Sequence, residues 1–255
     1  MKILISGINS GLGKFLYSYF KCDGIGRGDS LPFCEYDVII HCAVKTTKKV
    51  LYSEISSYID DNIALTERLL SVPNKKFIYI STVDVYPKYP LEYMWNENDQ
   101  LGFNVGTPEL SFYSVTKLIS ESLVTAKSSS YLILRCAALL NPFSSSNTTT
   151  MKILHGSNVS LSGNIKYNYV LASDVAKFIE LSLSNDLCGI YNIASLNYIS
   201  LLDVAKLSEN NVIFGDYKYY HLGRASNKKV CEVAPFFNKT SENAVCQFIK
   251  EIKKW

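Results

Sequence analysis

Long apolar runs are missing from this 255-residue chain: none reaches the ~18 residues that a helix needs to cross a bilayer. The opening Met1-Lys-Ile-Leu-Ile-Ser6 is too short for the apolar core of a secretion signal. Paired cysteine motifs are missing too. The seven cysteines, at 22, 34, 42, 136, 188, 231 and 246, are odd in number, form no Cys-x-x-Cys and mostly lie inside apolar runs. That pattern argues against a disulfide framework or a zinc site and fits free thiols in a reducing compartment, so a cytoplasmic protein without a metal is expected. Charge imbalance is small, at +3, and the lysine pairs Lys48-Lys49, Lys75-Lys76 and Lys253-Lys254 are scattered through neutral sequence. Neither nucleic acid nor membrane is therefore expected as a partner. No internal repeat occurs, and the only low-complexity tract is Ser144-Ser-Ser-Asn-Thr-Thr-Thr150.

What is present is apolar sequence, 47% against 19% charged, enough for a substantial core. Lys2-Ile-Leu-Ile-Ser6 reads as a strand, and Lys14-Phe-Leu-Tyr-Ser-Tyr-Phe-Lys21 has apolar residues at helical spacing. Buried-strand runs recur at Asp37–Ala43, Lys76–Ser81 and Tyr131–Arg135, separated by helix-like segments around 58–70 and 113–126. This alternation predicts an α/β fold: a doubly wound parallel sheet covered by helices on both faces. The polar tract after Asn141-Pro142 marks a lobe boundary, which divides the chain into 1–142, a dinucleotide-binding domain, and 143–255. The second part returns strands to the sheet at Tyr167–Leu171 and Gly189–Ala194, adds a small substrate-binding lobe, and contains a helix that Asp174 is placed to N-cap.

Gly7, Gly11 and Gly13 form Gly-x-x-x-Gly-x-Gly between the first strand and the first helix. Such a turn lets the backbone approach a pyrophosphate, and the helix N-terminus adds amide donors and a positive dipole end. A dinucleotide is expected on Gly7, Asn9, Ser10, Gly11, Leu12 and Gly13. The second strand is placed at Gly24-Ile-Gly-Arg27, where Arg27 favours the 2′-phosphate of NADP over NAD; the alternative is that Arg27 faces water and Asp29 binds the ribose. Nine residues separate Arg27 from Asp37, too few for a strand with its own crossover. A third strand is expected to be missing or trimmed.

Tyr113 and Lys117 are four apart on a predicted helix, so they share a face, where the ammonium would lower the pKa of the phenol. Tyr17 and Lys21 have the same spacing but follow the glycine turn directly. Thr82 ends a buried strand, where sites in open α/β sheets gather, and Ser81 is its immediate rival. A hydroxyl, a phenol and an amine make a proton-transfer set for oxidising or reducing a carbinol. The long connection from Thr82 to Tyr113 carries Pro87, Tyr89, Pro90, Tyr93, Trp95, Phe103 and Pro108, aromatics that either floor a pocket or pin the loop to the body.

With these motifs the chain resembles the extended short-chain dehydrogenase/reductase family, in the NAD-dependent epimerase/dehydratase group acting on nucleotide sugars. The resemblance runs through the glycine turn, His41-Cys-Ala43, Asp61-Asn62, Ser81-Thr82-Val-Asp-Val-Tyr86, Tyr113 to Lys117, Leu134-Arg135 to Asn141-Pro142, Tyr169 to Asp174 and Gly189-Ile-Tyr-Asn-Ile193. It implies a Rossmann-type fold with Thr82, Tyr113 and Lys117 as the catalytic set. The glycines, Cys42, Ala43 and Lys117 are implied at the cofactor, and a homodimer is implied through the helices near 58–70 and 113–126. The chain departs from the family pattern at Pro87, Ala138 and Tyr167, the last two at positions that normally touch substrate. Three activities are compatible: a ketosugar reductase, favoured by Arg27; an epimerase with tightly held NAD; and a non-catalytic dinucleotide sensor or scaffold. Dehydration ranks last, because the neighbours of Thr82 are Val83 and Asp84 rather than an acid/base pair.

Overall fold

The computed structural model describes residues 1–46, 50–87, 93–101, 111–217 and 224–252. Six parallel strands form the central sheet: β1 Ile3–Ser6, β2 Asp23–Ile25, β3 Tyr36–His41, β4 Asn74–Thr82, β5 Tyr131–Cys136 and β6 Gly189–Ile193. Their spatial order is β6-β5-β4-β3-β1-β2. The chain steps outward from β1 to β2 and then crosses to β3 on the other side, so the strand order reverses between β1 and β3. Ligands of open α/β sheets bind at such a reversal, beyond the carboxyl ends of the strands. No strand lies between β2 and β3, and β2 is the sheet edge, as the short link from Arg27 to Asp37 requires.

Strand alternation explains the layers. Ile5, Ile40, Ile78, Ile80 and Leu134 point to one face, under Leu16 of helix α1 (Gly11–Phe20) and Phe178 and Ile179 of helix Ala172–Ser184. Leu4, Ile39, Phe77, Tyr79 and Ile133 point to the other, with Leu69 and Val124. That face is covered by a helical segment made of α2 (Ile55–Ile59), a π turn (Asp60–Ala64) and α3 (Leu65–Leu70), followed in the chain by α4 (Phe112–Lys127). A separate apolar cluster joins Leu140, Met151, Ile153 and Tyr169 to Val204 and Phe248.

Three local expectations are corrected. The second strand stops at Ile25, because the Gly26 amide donates to Asp29 at 2.7 Å and turns the chain. Asp174 is not an N-cap: the helix starts at Ala172, and the buried Asp174 carboxylate accepts from Lys239 at 2.7 Å. Tyr167–Leu171 does not return to the central sheet and is two pieces. Lys166–Tyr167 pairs with Ile199–Ser200, Tyr169–Leu171 pairs with Ala138–Leu140, and Asn168 between them is turned away to the backbone of Ser195 and Asn197.

Candidate functional site

The glycine turn is built by close approach. Gly7 has φ +80, and a Cβ there would stand 2.8 Å from the Ala43 backbone; a Cβ on Gly13 would stand 2.2 Å from the Gly7 carbonyl oxygen. Gly11, at φ +56, has nothing within 4 Å of its Cβ position and faces open space. Ser10 precedes α1 in extended conformation without a side-chain cap, and the first turn of α1 has no acidic residue, so no side chain of that turn offsets its positive end. The Gly11 amide donates to the Phe143 carbonyl at 3.2 Å. Asn9 packs on Gly26, and the Leu12 side chain is buried in the core, leaving its backbone for any ligand. Arg27 is exposed and pairs with Asp61 at 3.3 Å.

Beside the turn, the end of β3 is locked by a buried relay. Ser6 Oγ accepts the amides of Cys42 and Ala43, each at 3.2 Å, so its proton goes to His41 Nδ1 at 2.7 Å. His41 must then carry its proton on Nε2, which donates to Thr66 at 2.9 Å, and burial pushes the imidazole down to about 3, keeping it neutral. Asn62, in the π turn, accepts the Lys45 amide and donates to the Lys45 carbonyl and to Thr116, the neighbour of Lys117. A single π turn inside a helix is a frequent mark of a working site.

Tyr113 and Lys117 do share a face of α4, whose N-cap Ser111 accepts the Ser114 amide. Lys117, one turn after Tyr113 on α4, reaches the backbone of β4 two residues before Thr82, which ends that strand beside Cys136 of β5. The structure therefore brings Thr82, Tyr113 and Lys117 to one end of the sheet. Lys117 is buried, donates to the Ile80 carbonyl at 2.6 Å and sits 4.6 Å over the Tyr79 ring. Thr82 Oγ accepts the Asp84 amide at 3.2 Å, which leaves its proton for another acceptor. Ser81 is excluded as the working hydroxyl, because it is turned to Glu121 at 2.5 Å. Tyr17 and Lys21 are no pair either, since Lys21 has left the helix at φ 49.

The expected lowering of Tyr113 is not found. Burial raises the phenol well above the ordinary tyrosine range, and the charge of Asp84 raises it further, while Lys117 makes its bond to Ile80 instead. Burial lowers Lys117 itself to about 8. Asp84 is a charged neighbour of Tyr113 that spacing did not reveal. It follows Thr82 by two residues, in Ser81-Thr-Val-Asp84, where the sequence reads only as lacking the acid/base pair of a dehydratase. Glu121 and Arg135, Ser6 and His41 were also missed as a group, since their partners are far apart in the chain.

Aromatics of the connection after Thr82 pin it to the body: Trp95 stacks on Tyr86 at 5.9 Å, and its carbonyl accepts from Asn192 and Ser226. Tyr89, Pro90, Phe103 and Pro108 lie outside the described residues, as do Lys48, Lys49, Lys253 and Lys254. Ala138 and Tyr167, the two positions that depart from the pattern, line one cavity of about 230 Å³ together with Asn141, Ser144 and Thr148 to Thr150; it has no charged side chain. All seven cysteines are free. Among the described residues no cluster of ligating side chains is arranged for a metal, and no helix is long and apolar enough to cross a membrane.

The fold is shared with MoeE5 in complex with UDP-glucuronic acid and NAD, at 17% identity and a TM-score of 0.82, covering 100% of this chain and 99% of that one. UDP-glucuronic acid 4-epimerase from Bacillus cereus, in complex with UDP-glucuronic acid and NAD, is similar at 17% identity and a TM-score of 0.78, with the same coverage. A dTDP-4-dehydrorhamnose reductase from Clostridium acetobutylicum is similar at 17% identity and a TM-score of 0.78, over 99% of this chain and 100% of that one. No curated protein matches the sequence. The family model described as the NAD dependent epimerase/dehydratase family matches residues 29–194, more than half of the chain. With that match, on a six-stranded parallel sheet whose order reverses between β1 and β3, the chain belongs to the NAD dependent epimerase/dehydratase family.

Proposed function

We propose that the protein is an NAD(P)-dependent oxidoreductase of a nucleotide-linked sugar and, within that class, a ketosugar reductase that draws on NADPH. The reach of Lys117, one helical turn after Tyr113 on α4, to the Ile80 carbonyl two residues before Thr82 carries this reading. The glycine turn fits a dinucleotide: it closes if Gly7 or Gly13 gains a Cβ, opens at Gly11, and points an uncapped helix end at the opening. Gly7, Asn9, Ser10, Gly11, Leu12 and Gly13 would hold it there, Arg27 at its adenosine end, and Cys42, Ala43, Tyr113 and Lys117 at its reacting end. Bound in that place, the nicotinamide supplies hydride.

The residues of the chain supply the proton. Tyr113, held protonated by burial and Asp84, is suited to donate to a carbonyl oxygen, the direction that reduction needs. Thr82 has a free proton with which to orient the same oxygen. NADPH is favoured because Asp29 is turned onto the Gly26 amide, leaving Arg27 as the charged side chain at the end of β2. Its pairing with Asp61 is exposed, and such pairs are weak enough for a phosphate to displace. Ile59 and Ile119 are exposed apolar side chains of α2 and α4 through which a homodimer would pair. The 143–255 segment, with the cavity that begins at its boundary, would hold the sugar nucleotide.

Purified protein should oxidise NADPH faster than NADH in the presence of a nucleotide-linked ketosugar from a panel, yielding the carbinol. Tightly held, unexchangeable cofactor with inversion of a hydroxyl would replace the reductase reading by an epimerase. Cofactor binding without turnover across the panel would favour a sensor.

A further inference from the structure

A buried polar chain runs beneath the site, and the proposed reaction uses none of it. Ser81, next to Thr82, donates to Glu121 of α4, and Glu121 takes the Arg135 guanidinium through Nε at 3.1 Å and Nη2 at 2.7 Å. Arg135 Nη1 donates to the Tyr86 hydroxyl at 2.8 Å. That hydroxyl in turn donates to Asn192 Oδ1 at 2.7 Å, with the Asn96 carbonyl 3.3 Å away. Asn192 sends its amide to the Glu97 carboxylate at 2.8 Å and its side-chain nitrogen to the Trp95 carbonyl at 3.1 Å. Every one of these polar side chains is buried, Asn192 completely and Glu97 at 8% exposure, so losing a partner leaves a costly unsatisfied group.

We propose that Tyr86 is a positioning residue that couples segment 93–101, the middle of the connection between Thr82 and Tyr113, to the register of β4 against α4. On one side of its hydroxyl stand the groups that bond the strand bearing Thr82 to the helix bearing Tyr113 and Lys117. On the other side stand Asn192, Glu97 and the Trp95 carbonyl, which seat the connection on β6. The hydroxyl accepts from Arg135 and donates to Asn192, so it joins the two sides through one atom and is fully satisfied only when both are in place. Burial pushes the Tyr86 phenol up to about 12, which keeps its proton as donor. A segment that shifts with its substrate would thereby set the spacing of the proton-transfer groups.

The catalytic consequence rests on the reductase reading; the structural one does not, and hydrogen exchange reads it without substrate. Tyr86→Phe keeps the ring against Trp95 and Arg135 but removes the joint. Exchange in peptides covering 93–101 and 112–127 should both quicken, by about tenfold, with NADPH affinity unchanged. Given a turned-over ketosugar, kcat should fall about tenfold while KM moves less. Glu97→Ala should quicken exchange in 112–127 from the far end of the chain, and Glu97→Gln, which keeps the acceptor, should restore it. Faster exchange confined to 93–101 in either variant overturns the proposal. If Tyr86→Phe fails to fold, the Glu97 pair decides alone. Absence of any turnover leaves the exchange result standing and counts only against the reductase.

Discussion

The Lys117 amine lies 2.6 Å from the carbonyl oxygen of Ile80, two residues before Thr82 on the central strand. A helix side chain thus reaches into the sheet at the place where the strand begins to serve the site. The amine is buried and lowered to about 8 from an ordinary value of 10.5. Between those two values the unfolded chain holds more protons than the folded one, so this group adds stability as pH rises through the window and adds none below it. The melting temperature of the wild type, taken relative to Lys117→Met, should climb from about pH 8 to about pH 10. A flat difference across that range would show the amine to be solvated.

Tyr113→Phe should lower kcat at least about a hundredfold, the usual scale of a proton-transfer group. NADPH affinity, followed by fluorescence titration, should stay near that of the wild type. Retained turnover would remove the phenol from the reaction.

Asp84→Asn removes the charge that helps to raise Tyr113, so the phenol should ionise at lower pH. In the direction of ketone reduction, which uses the protonated phenol, the alkaline limb of kcat/KM should move to lower pH. The limb would stay in place if the Asp84 carboxylate were screened from the ring.

Two alanines in the glycine turn should separate packing from binding. Gly13→Ala drives a methyl against the Gly7 carbonyl, a backbone clash that should cost at least about 3 kcal/mol in urea unfolding. Gly11→Ala meets no neighbour and carries only the strain of its positive φ, about 1 kcal/mol. Its signature should instead be a loss of NADPH affinity, about tenfold by calorimetry. Equal stability losses for the two variants would contradict the geometry.

The Glu121–Arg135 pair is almost wholly buried, its side chains 6% and 4% exposed. Glu121→Ala leaves a guanidinium unpaired in the interior and should cost about 3–5 kcal/mol. Glu121→Met combined with Arg135→Leu should cost less than that single change, because no charge is stranded. Additive losses on denaturant unfolding would argue that water reaches the pair.

The sheet was readable because its strands are covered on both faces and appear as apolar runs, and the missing strand followed from the reach of nine residues. The helical spacing of Tyr113 and Lys117 was readable for the same local reason. What escaped was long-range or depended on burial. Tyr86 meets Asn192 across 106 positions and Ser6 meets His41 across 35, separations that no local pattern encodes. Asp174 looked like a cap because its partner, Lys239, lies 65 residues on. The sign of the Tyr113 shift depends on how much of the ring is covered, and spacing carries no information about that.

The three-residue β2 closes the sheet on one flank, bonded only to β1, with Asp23 exposed at its start. A rim this brief, carrying a carboxylate, offers little to an incoming foreign strand and so guards against edge-to-edge aggregation. The same brevity means that β2, which leads directly into Arg27, has a single neighbour to steady it. A substitution at the exposed Asp23 should therefore blur the proposed discrimination between dinucleotides before it unfolds the protein.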